Sequence, residues 1–62
     1  MYFLYRIMGI FGHTYGTVKA QGGGYTVATC GSVARFDNIE DVHAYIEARI
    51  GKHVLKSAMN DN

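Results

Sequence analysis

The chain has 62 residues, a net charge of +1 and a single cysteine, Cys30. At this length about 60% of the surface of the unfolded chain is buried on folding, so the core is thin. One cysteine excludes an internal disulfide, which leaves a metal ion or a partner surface as the usual sources of added stability. The near-neutral charge excludes an overall attraction to nucleic acid or membranes, so any electrostatic argument depends on local clusters of charge.

The first eleven residues are almost entirely apolar, which raises the question of a targeting segment. Arg6 interrupts the run, no cation precedes it, and no small-residue cleavage pattern follows it, so we expect no signal peptide. We also expect no membrane span, because a span requires about 20 apolar residues. A single unpaired cysteine in a short chain is typical of a reducing compartment. The sequence therefore predicts a soluble, cytoplasmic protein with no membrane partner.

Short runs of β-branched and aromatic residues, separated by glycines, predict an antiparallel meander of three to four strands. The predicted strands span residues 1–11, 14–21, 24–30 and 33–36. The first run is ambiguous between a helix and a strand, and its aromatic and β-branched side chains favour a strand.

The register of these strands follows from three predicted two-residue loops: Gly12-His13, Gly22-Gly23 and Gly31-Ser32. Glycine accepts the positive φ angles that such loops require. These loops align four apolar residues as successive cross-strand partners: Ile7, Val18, Val27 and Phe36. The same register places Arg6 opposite Lys19. We expect the apolar row to face the core, because side chains alternate between the two faces of a sheet.

After Phe36 the apolar residues repeat every three and four positions, which predicts a helix over residues 38–50 that packs on the apolar row. Asp37 or Asn38 is the predicted N-cap, and both alternatives place an acid three residues later. Gly51 is expected to end the helix in a left-handed conformation. Residues 52–62 are predicted to form a short helix or a frayed tail. The sequence thus predicts one compact α+β domain with the order ββββα.

The face of the predicted sheet that is turned away from the helix is the expected binding surface. Its apolar residues need cover, either from another subunit or partner or from the chain's own tail. We predict an interface on this face formed by Tyr2, Leu4, Met8, Ile10 and Val33. All three strand cations fall on the same face and form a candidate anion-binding site: Arg6, Lys19 and Arg35. A solvated face that keeps the sheet soluble is the simpler interpretation of these cations.

Side chains with catalytic or metal-binding chemistry are few. Glu40, His43 and Glu47 share one side of the predicted helix, but a carboxylate-bridged metal site needs ligands from further helices. Cys30 has no residue that would orient a general base beside it. The glycine triplet precedes a strand, so it is more typical of a hairpin turn than of a phosphate-binding loop. We expect no enzymatic activity, no cofactor and no metal ion.

The order of strand, hairpin, strand, Arg35-Phe36-Asp37-x-x-Glu40 and helix resembles small sheet-plus-helix DNA-binding modules, found in plant transcription factors and integrase arm-binding domains. The resemblance is architectural and covers about residues 17–50. It implies that the outer sheet face enters the major groove of DNA. Those modules carry several exposed Arg and Trp residues on this face, whereas this chain has three strand cations and no tryptophan.

Two functions remain open from the sequence. The first hypothesis is a non-enzymatic, homodimeric binding protein of a phage or mobile element, which inhibits or sequesters a host factor by occupying it. Small single-domain proteins without linkers are common among such accessory proteins. The alternative is a module that binds nucleic acid or a small nucleotide through Arg6, Lys19 and Arg35, together with Tyr2.

Overall fold

The computed structural model describes residues 2–58 of the chain. These residues form one helix and five antiparallel strands, in the order β1 (Phe3–Gly9), β2 (Thr14–Gln21), β3 (Gly24–Thr29), β4 (Ser32–Phe36), α1 (Ile39–Arg49) and β5 (His53–Ser57). The predicted α+β class is confirmed, as is the succession of four strands and a helix. The prediction missed the fifth strand, β5.

The fifth strand comes from the segment for which a short helix or a frayed tail was predicted. That prediction is wrong for residues 53–57, and residues 59–62 lie outside the described part of the chain. β5 pairs antiparallel with β1, so the strand order across the sheet is β4-β3-β2-β1-β5. A five-residue strand is too short for its alternation to be distinguished from a helical turn by sequence pattern alone. β1 consequently has a neighbouring strand on both sides.

The β2–β3 hairpin has the predicted register. Gly22 and Gly23 form its two-residue loop with positive φ angles of 62° and 81°. Two consecutive positive φ angles match the right-handed twist of the strands that such a loop connects. Val18 therefore lies directly opposite Val27.

The β1–β2 hairpin is displaced by two residues from the predicted register. Its loop spans residues 10–13 rather than Gly12-His13 alone, and an irregularity in the pairing follows Ile7. Ile7 therefore lies opposite Gly16 instead of Val18. Such a bulge changes how many residues one strand contributes to the pairing, which the identity of the turn residues does not reveal.

The β3–β4 hairpin is also displaced by two residues. Its loop is Cys30-Gly31 rather than Gly31-Ser32, and Gly31 takes a positive φ of 75° at the second loop position. Val27 consequently lies opposite Ala34 rather than Phe36. Because side chains alternate along a strand, a displacement of two residues leaves each side chain on its predicted face.

The core lies between the sheet and α1. Five side chains from both layers are completely buried: Ile7, Val18, Val27, Val42 and Ile46. Burial of each such side chain contributes about 1.5–3 kcal/mol. At the N-terminus of α1 the side-chain oxygen of Asn38 accepts a hydrogen bond from the backbone N–H of Asp41 at 2.9 Å. Gly51 follows the C-cap of the helix with a φ of 97°, as predicted.

Candidate functional site

α1 covers one face of the sheet, and no other helix or strand within residues 2–58 covers the opposite face. Ile7 of β1 points into the core, so its neighbours Arg6 and Met8 point away from it. We call the uncovered surface the open face. The strand residues that point outward on it are Leu4, Arg6, Met8, Thr17, Lys19, Gln21, Thr26, Ala28, Val33, Arg35, Val54 and Lys56.

Four cations, one from each of four strands, cross the open face. Lys56 of β5 lies directly opposite Arg6 of β1. Arg6 pairs with Thr17 of β2, and Lys19 lies two residues further along the same strand. Arg35 of β4 belongs to the same cross-strand row as Lys19, with Thr26 of β3 between them. We call this line of four cations, from β5 to β4, the basic track.

Neutral side chains contact two cations of the basic track. Nη1 of Arg35 donates a hydrogen bond to Oγ1 of Thr26 at 3.2 Å. Nζ of Lys19 lies 4.6 Å from the centroid of the Tyr2 ring. A cation–π contact at an exposed site contributes about 0.5–1 kcal/mol. These contacts orient the two side chains without neutralising their charge.

The acidic residues lie elsewhere in the molecule. The five strands contain no Asp or Glu. The acids of the described residues all belong to the segment that begins after β4 and continues through α1: Asp37, Glu40, Asp41 and Glu47. Since α1 packs on the inner face, the acids of the helix are separated from the basic track by the sheet. The net charge of +1 hides this segregation, and the local field of the open face is positive.

The three cations of the predicted anion-binding site lie on one face of the sheet. Arg6, Lys19 and Arg35 all lie on the open face, but the prediction that Arg6 lies opposite Lys19 is wrong. The displaced register of the β1–β2 hairpin places Thr17 opposite Arg6 instead. The fourth cation, Lys56, was missed because its place on the open face depends on β5, and only the alternation of five residues could have indicated that strand.

Of the five residues of the predicted apolar interface, three lie on the open face: Leu4, Met8 and Val33. Leu4 and Met8 are half-buried on the open face, and Tyr2 contacts Lys19. Ile10 lies in the β1–β2 loop rather than in the predicted first strand, and 63% of its surface is exposed. Val33 is 71% exposed on β4, three strands away from β1. The predicted homodimer and the predicted action on a host factor stay predictions.

Other chemistry is sparse in the described part of the chain. Residues 2–58 contain no group of three or more His, Cys, Asp or Glu side chains that could hold a metal ion. Cys30 is exposed in the β3–β4 loop rather than within a strand as predicted. Among the described residues, no helix has the length and apolar character needed to cross a membrane.

The fold and the open face define a class of architecture: a small α+β protein whose antiparallel sheet is covered by one helix and is basic on its other face. Comparisons of the chain with protein-family models, with curated proteins and with solved structures found no match.

Proposed function

We propose that the protein binds single-stranded nucleic acid through its open face. The observation that carries this proposal is the basic track, which lies on an uncovered sheet face whose strands contain no acid. A phosphate backbone is a regular line of negative charge. Lysine and arginine side chains that neutralise its phosphates release counterions, and this release supplies most of the sequence-independent affinity.

The width of the sheet favours a single strand over a duplex. Neighbouring strands lie about 4.8 Å apart, so the open face is about 19 Å wide from β5 to β4. The major groove of B-DNA is about 12 Å wide and admits a two-stranded ribbon. The architectural resemblance implies that the sheet enters a major groove. We do not propose this, because the five-stranded face is wider than the groove. A single strand can instead cross the β-strands along the basic track.

The side chains between the cations offer contacts for bases and sugars. Tyr2 is 40% exposed beside Lys19, and Leu4 lies opposite Lys19 on the open face. Stacking of a base on an aromatic ring contributes about 1–3 kcal/mol and depends little on which base it is. The hydroxyl groups of Thr17 and Thr26 can donate hydrogen bonds to phosphates, which position a strand without reading its sequence. We therefore expect weak sequence preference.

The experiment measures the fluorescence anisotropy of a labelled single strand of about 12 nucleotides, within the usual site sizes of single-strand binding domains. Four phosphate contacts predict a slope of about −2.8 for the logarithm of the binding constant against the logarithm of salt concentration. Affinity should fall about 50-fold between about 50 and 200 mM salt. Arg6→Ala should lower the magnitude of the slope by about 0.7. Lys52→Ala removes a cation outside the strands and is the matched control.

Three outcomes would count against the proposal. Equal losses of affinity in Arg6→Ala and Lys52→Ala would show that binding does not use the basic track. Tighter binding of a duplex of the same length would exclude the single-stranded ligand. An acidic peptide that displaces the labelled strand as well as an unlabelled strand of equal charge would assign the open face to an acidic protein partner.

A further inference from the structure

Two histidines join α1 to the start of β5. Nδ1 of His43 lies 2.9 Å from Nε2 of His53, and Nδ1 of His53 lies 2.9 Å from the carbonyl oxygen of Gly51. A carbonyl oxygen only accepts, so Nδ1 of His53 carries a hydrogen and donates it. Nε2 of the neutral His53 ring is then an acceptor, and Nδ1 of His43 is the donor to it. The backbone thus sets the tautomers of both rings.

The two imidazole rings meet end to end. Their centroids are 5.1 Å apart, and the bonded nitrogens are 2.9 Å apart. The difference is about two ring radii, so both nitrogens lie close to the line that joins the centroids. This is the geometry of a hydrogen bond, and it leaves no room for a metal ion between the two nitrogens. The contact therefore depends on protons.

We propose that the His43–His53 pair is a pH-sensitive latch that fastens β5 to α1. The pair keeps its hydrogen bond when it binds a first proton at Nε2 of His43, because that atom lies outside the bond. A second proton must bind Nε2 of His53, which is the acceptor of the bond. It therefore breaks the bond and places two cations in contact. Acid therefore opens the latch, because the doubly protonated pair cannot keep the hydrogen bond.

Charged and titratable side chains lie around the pair. The neighbouring charged and titratable residues are Glu40 and Glu47 on α1, Lys52 before β5, and Tyr15, whose ring lies over Gly9 of β1, the partner of His53. His13 packs on the Tyr15 ring, with the two ring centroids 4.9 Å apart. The two acids lie within one turn of His43 on its own helix. The ammonium group of Lys52 is next to His53 in the chain.

The latch is important for β5 because α1 packs mainly against β3 and β4. β5 is a short strand at the edge of the sheet, and its other attachments are the pairing with β1 and the packing of Leu55 against the core. Loss of the histidine contact should therefore loosen β5 before the rest of the sheet. The latch acts on the fold of β5 and does not depend on nucleic-acid binding.

The test is amide hydrogen exchange of β5 followed by NMR, with a metal chelator present. A convenient reporter is the amide of Ala58, which donates to the carbonyl oxygen of Leu4 at 2.8 Å. Protection factors are compared with those of β3 at about pH 7.5 and about pH 4.5, on either side of the range in which histidine titrates. His43→Ala should lower the protection of β5 about fivefold at the higher pH, which is the effect of one hydrogen bond.

At the lower pH, the protection of β5 in wild type should be no greater than in His43→Ala, because the bond is broken and the two cations repel. His43→Asn is the matched control, because its amide does not titrate and can donate to or accept from Nε2 of His53. It should keep the protection of β5 at both pH values. Protection in His43→Ala equal to wild type at about pH 7.5 would overturn the proposal. An identical fall of protection in wild type and His43→Asn on acidification would overturn it as well.

Discussion

Arg6 and Lys56 lie directly opposite each other on neighbouring strands of the open face. Like charges at directly opposed positions of an antiparallel pair destabilise the sheet, and such cross-strand pairs contribute about 0.2–1 kcal/mol. The fold therefore retains a repulsion that a single substitution would remove. A bound polyanion would relieve it, because each cation would then face a phosphate.

Lys56→Glu should separate stability from binding. The substitution replaces the repulsion with an attraction to Arg6, so the free energy of unfolding in urea should rise by about 0.5 kcal/mol at low salt. The gain should shrink at high salt, where exposed charges are screened. Binding of the labelled single strand should weaken, because one cation of the basic track is lost.

Lys52→Glu is the control for Lys56→Glu, since it changes the net charge by the same amount outside the strands. It should weaken binding much less. If both substitutions weakened binding equally, the net charge rather than the basic track would determine affinity.

Asn38→Ala should destabilise the helix. The side-chain oxygen of Asn38 accepts a hydrogen bond from the backbone N–H of Asp41. Without this bond that N–H has no partner within the helix, because it belongs to the first turn of α1. Loss of an N-cap costs about 1 kcal/mol, and the midpoint of urea unfolding should fall accordingly. Asn38→Ser keeps an oxygen at the cap and should retain most of the stability. Equal losses in both variants would assign the effect to another contact of Asn38.

The faces of the sheet could be predicted from the sequence, but the pairing of residues could not. Ile7, Val18 and Val27 were assigned to the core because alternation along a strand fixes which side chains share a face. Only the Gly22-Gly23 loop gave the right partners. The β1–β2 connection, with its loop over residues 10–13 and the irregularity after Ile7, and the Cys30-Gly31 loop each displaced a register by two residues. A displacement by an even number leaves the faces unchanged.

The candidate sites show the same limit. Alternation along the strands is enough to place three cations on one face, so this grouping could be predicted from the sequence: Arg6, Lys19 and Arg35. Lys56 and the His43–His53 contact depend on β5 returning beside β1. That pairing joins residues that are far apart in the chain, so it cannot be predicted from a local sequence pattern.

Gly16→Ala should be among the most destabilising single-methyl additions in the sheet. A Cβ atom at Gly16 would overlap the backbone carbonyl oxygen of Ala28 on β3, which cannot rotate away as a side chain could. Overpacking of this kind costs about 1–3 kcal/mol, and we expect the upper end of that range. Urea unfolding monitored by circular dichroism measures the loss.

Gly22→Ala provides the comparison for Gly16→Ala. A Cβ atom at Gly22 meets open space, but the φ of 62° strains any side chain there. The cost of a left-handed conformation is about 1 kcal/mol. A smaller loss in Gly16→Ala than in Gly22→Ala would contradict the prediction, because it would mean that β2 and β3 make room for the added methyl group at a cost below about 1 kcal/mol.

Thr29→Val should stabilise the protein. Oγ1 of Thr29 is buried on β3 and has no hydrogen-bond partner among the described residues. A buried polar atom without a partner costs about 1–3 kcal/mol, and valine has nearly the same shape and favours strands. The free energy of unfolding in urea should therefore rise by about 1 kcal/mol.

Thr26→Val is the control for Thr29→Val, because Oγ1 of Thr26 accepts a hydrogen bond from Arg35 on the open face. It should give no gain, since the hydroxyl group that it removes has a partner. A loss of stability in Thr29→Val would show that the hydroxyl group of Thr29 is hydrogen-bonded in solution.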